Sequence, residues 1–401
     1  MKKVYVAAGY NTMYFGFGRK EFNPKKPMPT FETYLKETAK GTLAQINHPE
    51  IDEGIIGSFM PGRFINQANL PGFLPFMVPE LLYKPCTGIE GACGTGGRCI
   101  SMAVRSVLSG ISDTVFVAGF EMQNSLKAVY GADVLAGASY YSRERKEGHA
   151  YFFPGIFSNR AGAYYKKYGY EKTREAMALW YEKMIQNARL NPKAQEYHNT
   201  TKDLFSCGMT KPDPRLFVPH LNRYDCSKVT DGASSLLVLS EEGLKKCGID
   251  KGKAIEIVAL GESEGDITKD PADLTHFDTT EQAVKKVLQK SAISKDDLSL
   301  LELHDCFTIT AILGFEAIGF APKGKGPEYI LQGTVPVNLS GGLSGFGHPT
   351  GASGVRQMVD LFEQLIGVAP NQAEIKTPYG MMISMGGNDK TVTAIVVKKS
   401  T

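Results

Sequence analysis

Between Thr87 and Gly110 a short apolar run leads to a cysteine, small residues follow, and a helix begins: Thr87-Gly88-Ile89-Glu90-Gly91-Ala92-Cys93-Gly94-Thr95-Gly96-Gly97, then residues 98–109. Few folds accept that stretch. Ile100, Ala103, Val104, Val107 and Leu108 recur with helical spacing, and Gly110 supplies a stop. A strand feeding directly into an amphipathic helix has to bury the helix stripe against a sheet, which commits the chain to α/β layers. The same turn puts Cys93 at or just before a helix N-terminus. Unpaired N–H groups and the positive end of the helix dipole favour a thiolate there and lower the thiol pKa. Gly94, Gly96 and Gly97 let a substrate approach the backbone closely. A buried, inert cysteine in a tight turn fits this stretch equally well.

Further along the chain the pattern recurs. Residues 4–9 read as an opening strand, residues 53–59 as a second, and residues 113–121 as a buried strand of parallel-sheet character. From about Met122 to Tyr224 the texture changes, with many Tyr and Phe residues, the single Trp180 and two helical patterns. That segment reads as a cap over a site. Strand and helix signals then repeat: strands at 236–239, 255–260 and 298–303, helices at 279–290, 309–318 and 355–366, and a hairpin about Gly386-Gly387-Asn388-Asp389. Two halves with one element order point to an internally duplicated fold.

Composition narrows the function classes. A chain of 401 residues with net charge +3 has no excess charge for nonspecific binding to nucleic acid or a membrane surface. Its seven cysteines are scattered with no CxxC pair, which speaks against a disulfide framework or a bound metal and for a reducing cytoplasm. The short apolar start is no signal sequence or membrane span, and the end, Lys399-Ser400-Thr401, is no peroxisomal tripeptide.

Three loops look reactive: Cys93, the tripeptide His304-Asp305-Cys306, and His348 within Gly-Phe-Gly-His-Pro. Strand ends in α/β sheets carry ligand sites, so the first two of these loops are candidates for one pocket. A cysteine nucleophile needs a base and an oxyanion hole. His348 suits the base, Cys306 a second proton carrier, and His304 a donor to a developing oxyanion. Asp305 reads as a helix cap for the segment at Thr308. The other cysteines (86, 99, 207, 226, 247) and His149, His198, His220 and His276 read as structural. By spacing alone, each catalytic reading competes with a packing role.

Taken together the motifs resemble the thiolase superfamily, and within it the sterol-carrier-protein-type thiolases with their bacterial and archaeal acetyl-CoA acetyltransferase relatives. The resemblance rests on Gly91-Ala92-Cys93, Asp225-Cys226-Ser227 through Asp231-Gly232-Ala233, His304-Asp305-Cys306-Phe307, and Gly347-His348-Pro349-Thr350-Gly351-Ala352. It implies a thiolase fold: two βαβαβαββ halves in a five-layered α/β/α/β/α core with a loop (cap) domain. Residues 1–121 and 225–250 would form the N-terminal half, 122–224 the loop domain, and 251–401 the C-terminal half.

The implied chemistry is acyl-CoA C-acyl transfer: cleavage of a 3-oxoacyl-CoA with CoA, or the reverse Claisen condensation. Cys93 matches the acylated nucleophile and His348 its base. His304 matches an oxyanion donor, and the N–H groups of Cys93 and Gly386 a second oxyanion hole. Most thiolases carry their acid/base cysteine in a Cys-x-Gly motif. Here that position reads Ser384-Met385-Gly386, and the role passes to Cys306. Coenzyme A is implied as substrate, with no covalently bound cofactor, and the residues that contact it are not assignable from the motifs. A homodimer is implied, as is a zinc-ribbon/OB-fold partner protein for relatives of this branch. Ketoacyl-synthase-like or C-acetyltransferase condensation uses the same Cys-His-His set. The aromatic cluster Tyr140, Tyr141, Tyr151, Phe152, Phe153 and Phe157 fits either a bulky or aromatic acyl group or simple packing.

Overall fold

A computed structural model describes residues 2–400; Met1, and Thr401 of the terminal tripeptide, lie outside the described residues. In chain order the elements are β1 (Val4–Asn11), α1 (Phe31–Leu43), β2 (Glu53–Gly57), β3 (Cys86–Ile89), α2 (Thr95–Ser109) and β4 (Thr114–Met122). Helices then follow without an intervening strand, the longer of them α3 (Ala128–Leu135), α4 (Phe152–Tyr168) and α5 (Tyr170–Ala188). Then come β5 (Asp231–Leu239), β6 (Ile255–Glu264), α6 (Asp278–Ser291), β7 (Leu298–Glu302), α7 (Thr308–Ile318), α8 (Ser353–Ile366), β8 (Tyr379–Gly386) and β9 (Thr391–Lys399). Gly110, at φ 81°, ends α2 where the sequence predicts a stop.

The strands run in the order β3-β2-β4-β5-β1-β6-β9-β8-β7. β2 pairs in parallel with β3 and β4, and β4 antiparallel with β5; in the other half β7 is parallel to β8, and β8 antiparallel to β9. The halves meet where β1 pairs antiparallel with β6 through Val4↔Ile257, Tyr5↔Glu256 and Val6↔Ile255. The repeat extends to the loops. β3 precedes the Cys93 turn and α2; Val337, bridged in parallel to Leu301 of β7, precedes the His348 loop and α8.

Side-chain alternation sorts the core into layers. In β4, Val115 and Val117 face one side while Phe116, Ala118 and Phe120 face the other, all buried. Burying each of the larger side chains contributes roughly 1.5–3 kcal/mol. The first face packs, with Val4, Val6, Leu236 and Val238, on α2 and α8. Leu300, Met382, Ile395 and Val397 of the C-terminal half reach the same two helices from the other side. The outer faces are covered by α1 in the N-terminal half and by α6 and α7 in the C-terminal half. Helices, sheet, helices, sheet, helices is the five-layered arrangement.

The glycines after Cys93 serve this inner layer and not the approach of a substrate. A Cβ on Gly96 would lie 2.6 Å from the Val355 nitrogen, and one on Gly354 only 2.4 Å from the Gly97 nitrogen. A Cβ on Gly94 would meet the Gly386 nitrogen and the Thr391 oxygen at 3.1 Å. Backbone-to-backbone contact between the starts of α2 and α8 fixes the spacing of the loops that precede them.

Candidate active site

Cys93 occupies a one-turn helix, Ala92–Gly94, directly before α2. Ala92 takes a left-handed φ of 54°, a conformation that costs a non-glycine residue about 1–3 kcal/mol. Hydrogen bonds over-determine that turn. Thr95 Oγ1 accepts from the Gly91 N–H at 3.0 Å and donates to the Ala92 carbonyl at 2.6 Å, while Glu90 accepts from the Ala92 N–H at 2.5 Å. The result presents a half-buried thiol to a cavity of about 800 Å³.

Three other candidates line that cavity: His304 and Cys306 after β7, and His348 before α8. The fifth, Gly386, ends β8 against the Cys93 turn, where a Cβ would fall 2.3 Å from the Gly91 carbonyl. The thiol is hydrogen-bonded by its own backbone N–H and by that of Gly387, one residue on from Gly386, which lines the cavity. Ser384 is fully buried beside Gly97 and Gly354 and is not among the lining residues.

The thiol pKa departs from the expectation of a lowered value. Burial, and then the carboxylate of Glu121, push it up to about 12, against which the N–H groups of Gly387 and Cys93 act only partly. The helix terminus loses to desolvation. Cys93 therefore rests as a thiol and needs a base.

The state of His348 suits that need. Burial, with the charge of Arg356 adding to it, holds its pKa down at about 3, so the ring is neutral. Ser353 donates its single proton to the Pro349 carbonyl at 3.0 Å, so at 2.7 Å it receives the Nδ1 proton of His348. Nε2 is left as an unprotonated nitrogen without a protein partner among the described residues. The loop itself is latched: Gln123 donates to the His348 carbonyl at 2.8 Å, and Thr230 accepts the His348 N–H at 3.0 Å.

His304 has the complementary tautomer. The Met385 N–H donates to its Nδ1 at 3.3 Å, and burial, His348 and Arg356 keep the ring neutral. The one ring proton sits on Nε2, which has no acceptor among the described residues. The two imidazoles meet edge to face, with centroids 5.2 Å apart. One offers a lone pair and the other a proton.

Cys306 is buried, and burial, together with the neighbouring Cys93, raises its thiol well above the ordinary range. It rests protonated, as an acid. The Ser227 N–H donates to its carbonyl at 2.9 Å, and Cys226, bridged to Phe307, lines the cavity beside it. Cys226 and His198, read as structural, line the cavity, whereas Cys99 and Cys247 are core residues.

Asp305 does not cap α7. It accepts from the Leu343 N–H at 2.7 Å and from Trp180 Nε1 at 3.1 Å. Asp225 holds the start of α7 instead, accepting from Thr308 Oγ1 at 2.7 Å as well as from both terminal nitrogens of Arg174. The α7 N-terminus faces the 222–226 turn, and Asp225 anchors it through the Thr308 side chain. Gln123, Thr230 and Ser353 were invisible as site residues in the sequence. Only Ser353 left a trace, as a hydroxyl opening the helix after the His348 loop.

His276, Asp278 and Glu281 bring ligand atoms within 4.8 Å of one another, but the Glu281 oxygens are already engaged by His276 and Lys285. Among the described residues no helix is long and apolar enough to cross a membrane.

The chain is similar to known proteins over most of its length. A family model described as thiolase C-terminal domain-like matches residues 261–399. The chain is 30% identical over 361 residues to an acetyl-CoA acetyltransferase of Methanocaldococcus jannaschii, spanning 87% of this chain and 88% of the relative. It is 28% identical over 379 residues to an acetyl-CoA acetyltransferase of Methanothermobacter thermautotrophicus, spanning 92% and 95%. Among solved structures, the Ltp2-ChsH2(DUF35) aldolase superposes with TM-score 0.76 at 17% identity, covering 99% of this chain and 98% of that one. The Acat5 thiolase from Ascaris suum in complex with coenzyme A gives 0.72 at 17% identity, covering 99% and 100%.

Proposed function

Because the chain belongs to the thiolase family, we propose that it cleaves a 3-oxoacyl-CoA with coenzyme A, or runs the reverse Claisen condensation, through an acyl-Cys93 intermediate. It is an acyltransferase of the thiolase type. The observation that carries the mechanism is the convergence of Cys93, His304, Cys306 and His348 on one cavity.

In cleavage, Cys93 attacks the 3-keto carbon and passes its proton to His348 Nε2 as the S–C bond forms. The bond between C2 and C3 breaks, and the electron pair enters the thioester as an enolate whose oxygen takes the His304 Nε2–H. Cys306 protonates C2, releasing acetyl-CoA. Its thiolate then deprotonates incoming CoA, whose sulfur attacks the acyl-Cys93 carbonyl. Backbone N–H groups of Cys93 and the Gly386–Gly387 turn hold that oxyanion. Cys93 leaves and recovers its proton from His348.

Thiolysis of a 3-oxoacyl-CoA, read by loss of its enolate absorbance, together with mass analysis of acyl-Cys93, tests the reading. Turnover by Cys93→Ala, or the absence of an acyl adduct in the unsubstituted enzyme, would overturn it. Ketoacyl-synthase-like condensation shares Cys93, His304 and His348, but Cys306 gives this site a carbon acid/base that decarboxylative condensation does not need. Condensation from a malonyl donor and not an acetyl one would reverse that preference.

The pantetheine arm is assigned to the polar side of the cavity, lined by Asn199, Thr200, Thr201, Ser227 and Lys228. Residues 122–224 act as the loop domain over it. The assignment of a cytoplasmic homodimer follows the family, with the edge strand β3 and the exposed Leu82 and Tyr83 beside it as the seam. A zinc-ribbon/OB-fold partner is a second reading, favoured by the likeness to the Ltp2-ChsH2(DUF35) aldolase and by exposed Phe17 and Leu216 near the cavity mouth. Light scattering of the purified chain, alone and with such a partner, tests both.

A further inference from the structure

Aromatic side chains line the cavity leading away from the acid/base cysteine. Phe307, the residue after Cys306, stacks on Phe157 with centroids 4.5 Å apart and planes at 22°. Phe157 passes the contact to Phe153 at 6.3 Å, and Tyr151 meets Phe217 at 5.3 Å farther out. All five line the cavity. Phe153 and Phe157 are one turn apart on α4, so both rings fall on the same face. Tyr140 and Tyr141, from the same aromatic cluster of the sequence, are surface residues, and Phe152 is buried behind the wall.

The adjoining wall has almost no side-chain bulk. Ala128, Gly131, Ala132 and Leu135 of α3 line the cavity at i, i+3, i+4 and i+7, one helical stripe. A Cβ on Gly131 would find only Phe64, at 3.8 Å, within contact distance. Flat rings on one wall and small residues on the adjoining one bound this part of the cavity. A flexible alkyl chain gains from that space only its area of contact. A planar ring gains in addition the quadrupole-matched stacking or edge contacts of aromatic pairs, up to about tenfold in affinity per pair.

We propose that this space is the acyl chamber and that it selects 3-oxoacyl-CoAs whose acyl group carries an aromatic ring. The inference rests on the thiolase reading. The ring-bearing acyl group is the part retained on Cys93 when C2–C3 breaks, and it lies along Phe307, Phe157 and Phe153 while CoA enters from the polar side. Phe153 and Ala132 set specificity and take no part in proton or acyl transfer.

The test compares kcat/KM for 3-oxo-5-phenylpentanoyl-CoA, for 3-oxoundecanoyl-CoA of the same carbon count, and for acetoacetyl-CoA. The phenyl substrate is expected to exceed its linear counterpart by tenfold or more. Ala132→Phe, which fills the trough, should lower kcat/KM for the phenyl substrate at least tenfold more than for acetoacetyl-CoA. Phe153→Leu, which keeps apolar bulk and removes the ring, should narrow the phenyl-to-linear ratio. Equal or better use of the linear substrate, or equal losses on all three substrates in both variants, would overturn the chamber while leaving the thiolase reading intact. Failure of all three substrates to acylate Cys93 would overturn the thiolase reading, and the chamber with it.

Discussion

The backbone N–H of Met385 donates to Nδ1 of His304 at 3.3 Å, and this contact decides what the histidine does. An amide N–H cannot accept, so Nδ1 carries the lone pair and the ring proton sits on Nε2, facing the cavity. His304→Ala should lower kcat for thiolysis by about 10²–10³, the usual cost of one oxyanion donor. His304→Asn keeps a donor and should recover part of that loss. Equal activity of the two variants would show that the donor is not what matters.

Cys306 separates two half-reactions. Cys306→Ala should cut carbon–carbon cleavage by about 10²–10⁴, the range for a lost general acid/base, while Cys93 still acquires an acyl group from a simple acyl-CoA. Quench-flow mass analysis of acyl-Cys93 beside steady-state thiolysis checks this. Full thiolysis by the variant would remove Cys306 from the mechanism.

The Cys93 thiol, pushed up to about 12, should react with iodoacetamide in the free enzyme at a rate that climbs about tenfold per pH unit from neutrality to pH 10. A plateau near pH 7–8 would instead reveal a preformed thiolate–imidazolium pair. Alkylation monitored by peptide mass distinguishes the two.

His348 makes stability depend on acid. The unfolded chain protonates it near its ordinary value of 6.5 and the folded chain only at about 3, so between those values the unfolded state binds more protons. This contribution is intact above pH 6.5 and falls as the pH drops toward 3, by roughly 4–5 kcal/mol in all. His304, shifted in the same direction, adds to it. Urea midpoints should fall across that window and fall less steeply in His348→Asn. For the same reason kcat/KM should show no basic-form limb between pH 5 and 7 arising from His348.

Asp225 ties α5, the 222–226 turn and the start of α7 together through Arg174, Asn222 and Thr308. Asp225→Asn leaves the fully buried Arg174 guanidinium without its counter-charge and should destabilise by about 3–5 kcal/mol. Thermal unfolding reads this as a lower midpoint. An unchanged midpoint would mean that Arg174 finds another acceptor.

Much of this architecture was legible in the chain. Strand-to-helix alternation, the Gly110 stop and the glycine-centred hairpin near Asp389 depend on neighbours within a few residues, and each stands where the periodicity puts it. Other readings failed where the partner was remote. Gly96 and Gly97 read as room for a substrate but are contact points for Gly354 and Ser384, and Asp305 read as a cap for α7 but instead accepts from Leu343 and Trp180.

The sequence by itself determined which residue types stand in which loops, because motif order and local spacing are properties of the chain. Only the tertiary structure decided how Cys93 and His348 behave. The close approach of α2 and α8 sets their loops side by side, and the surrounding burial fixes their protonation. Desolvation depends on what every other segment packs around a group. That is why a thiol at a helix start, expected to be acidic, rests protonated, and a histidine lining the same cavity stays neutral.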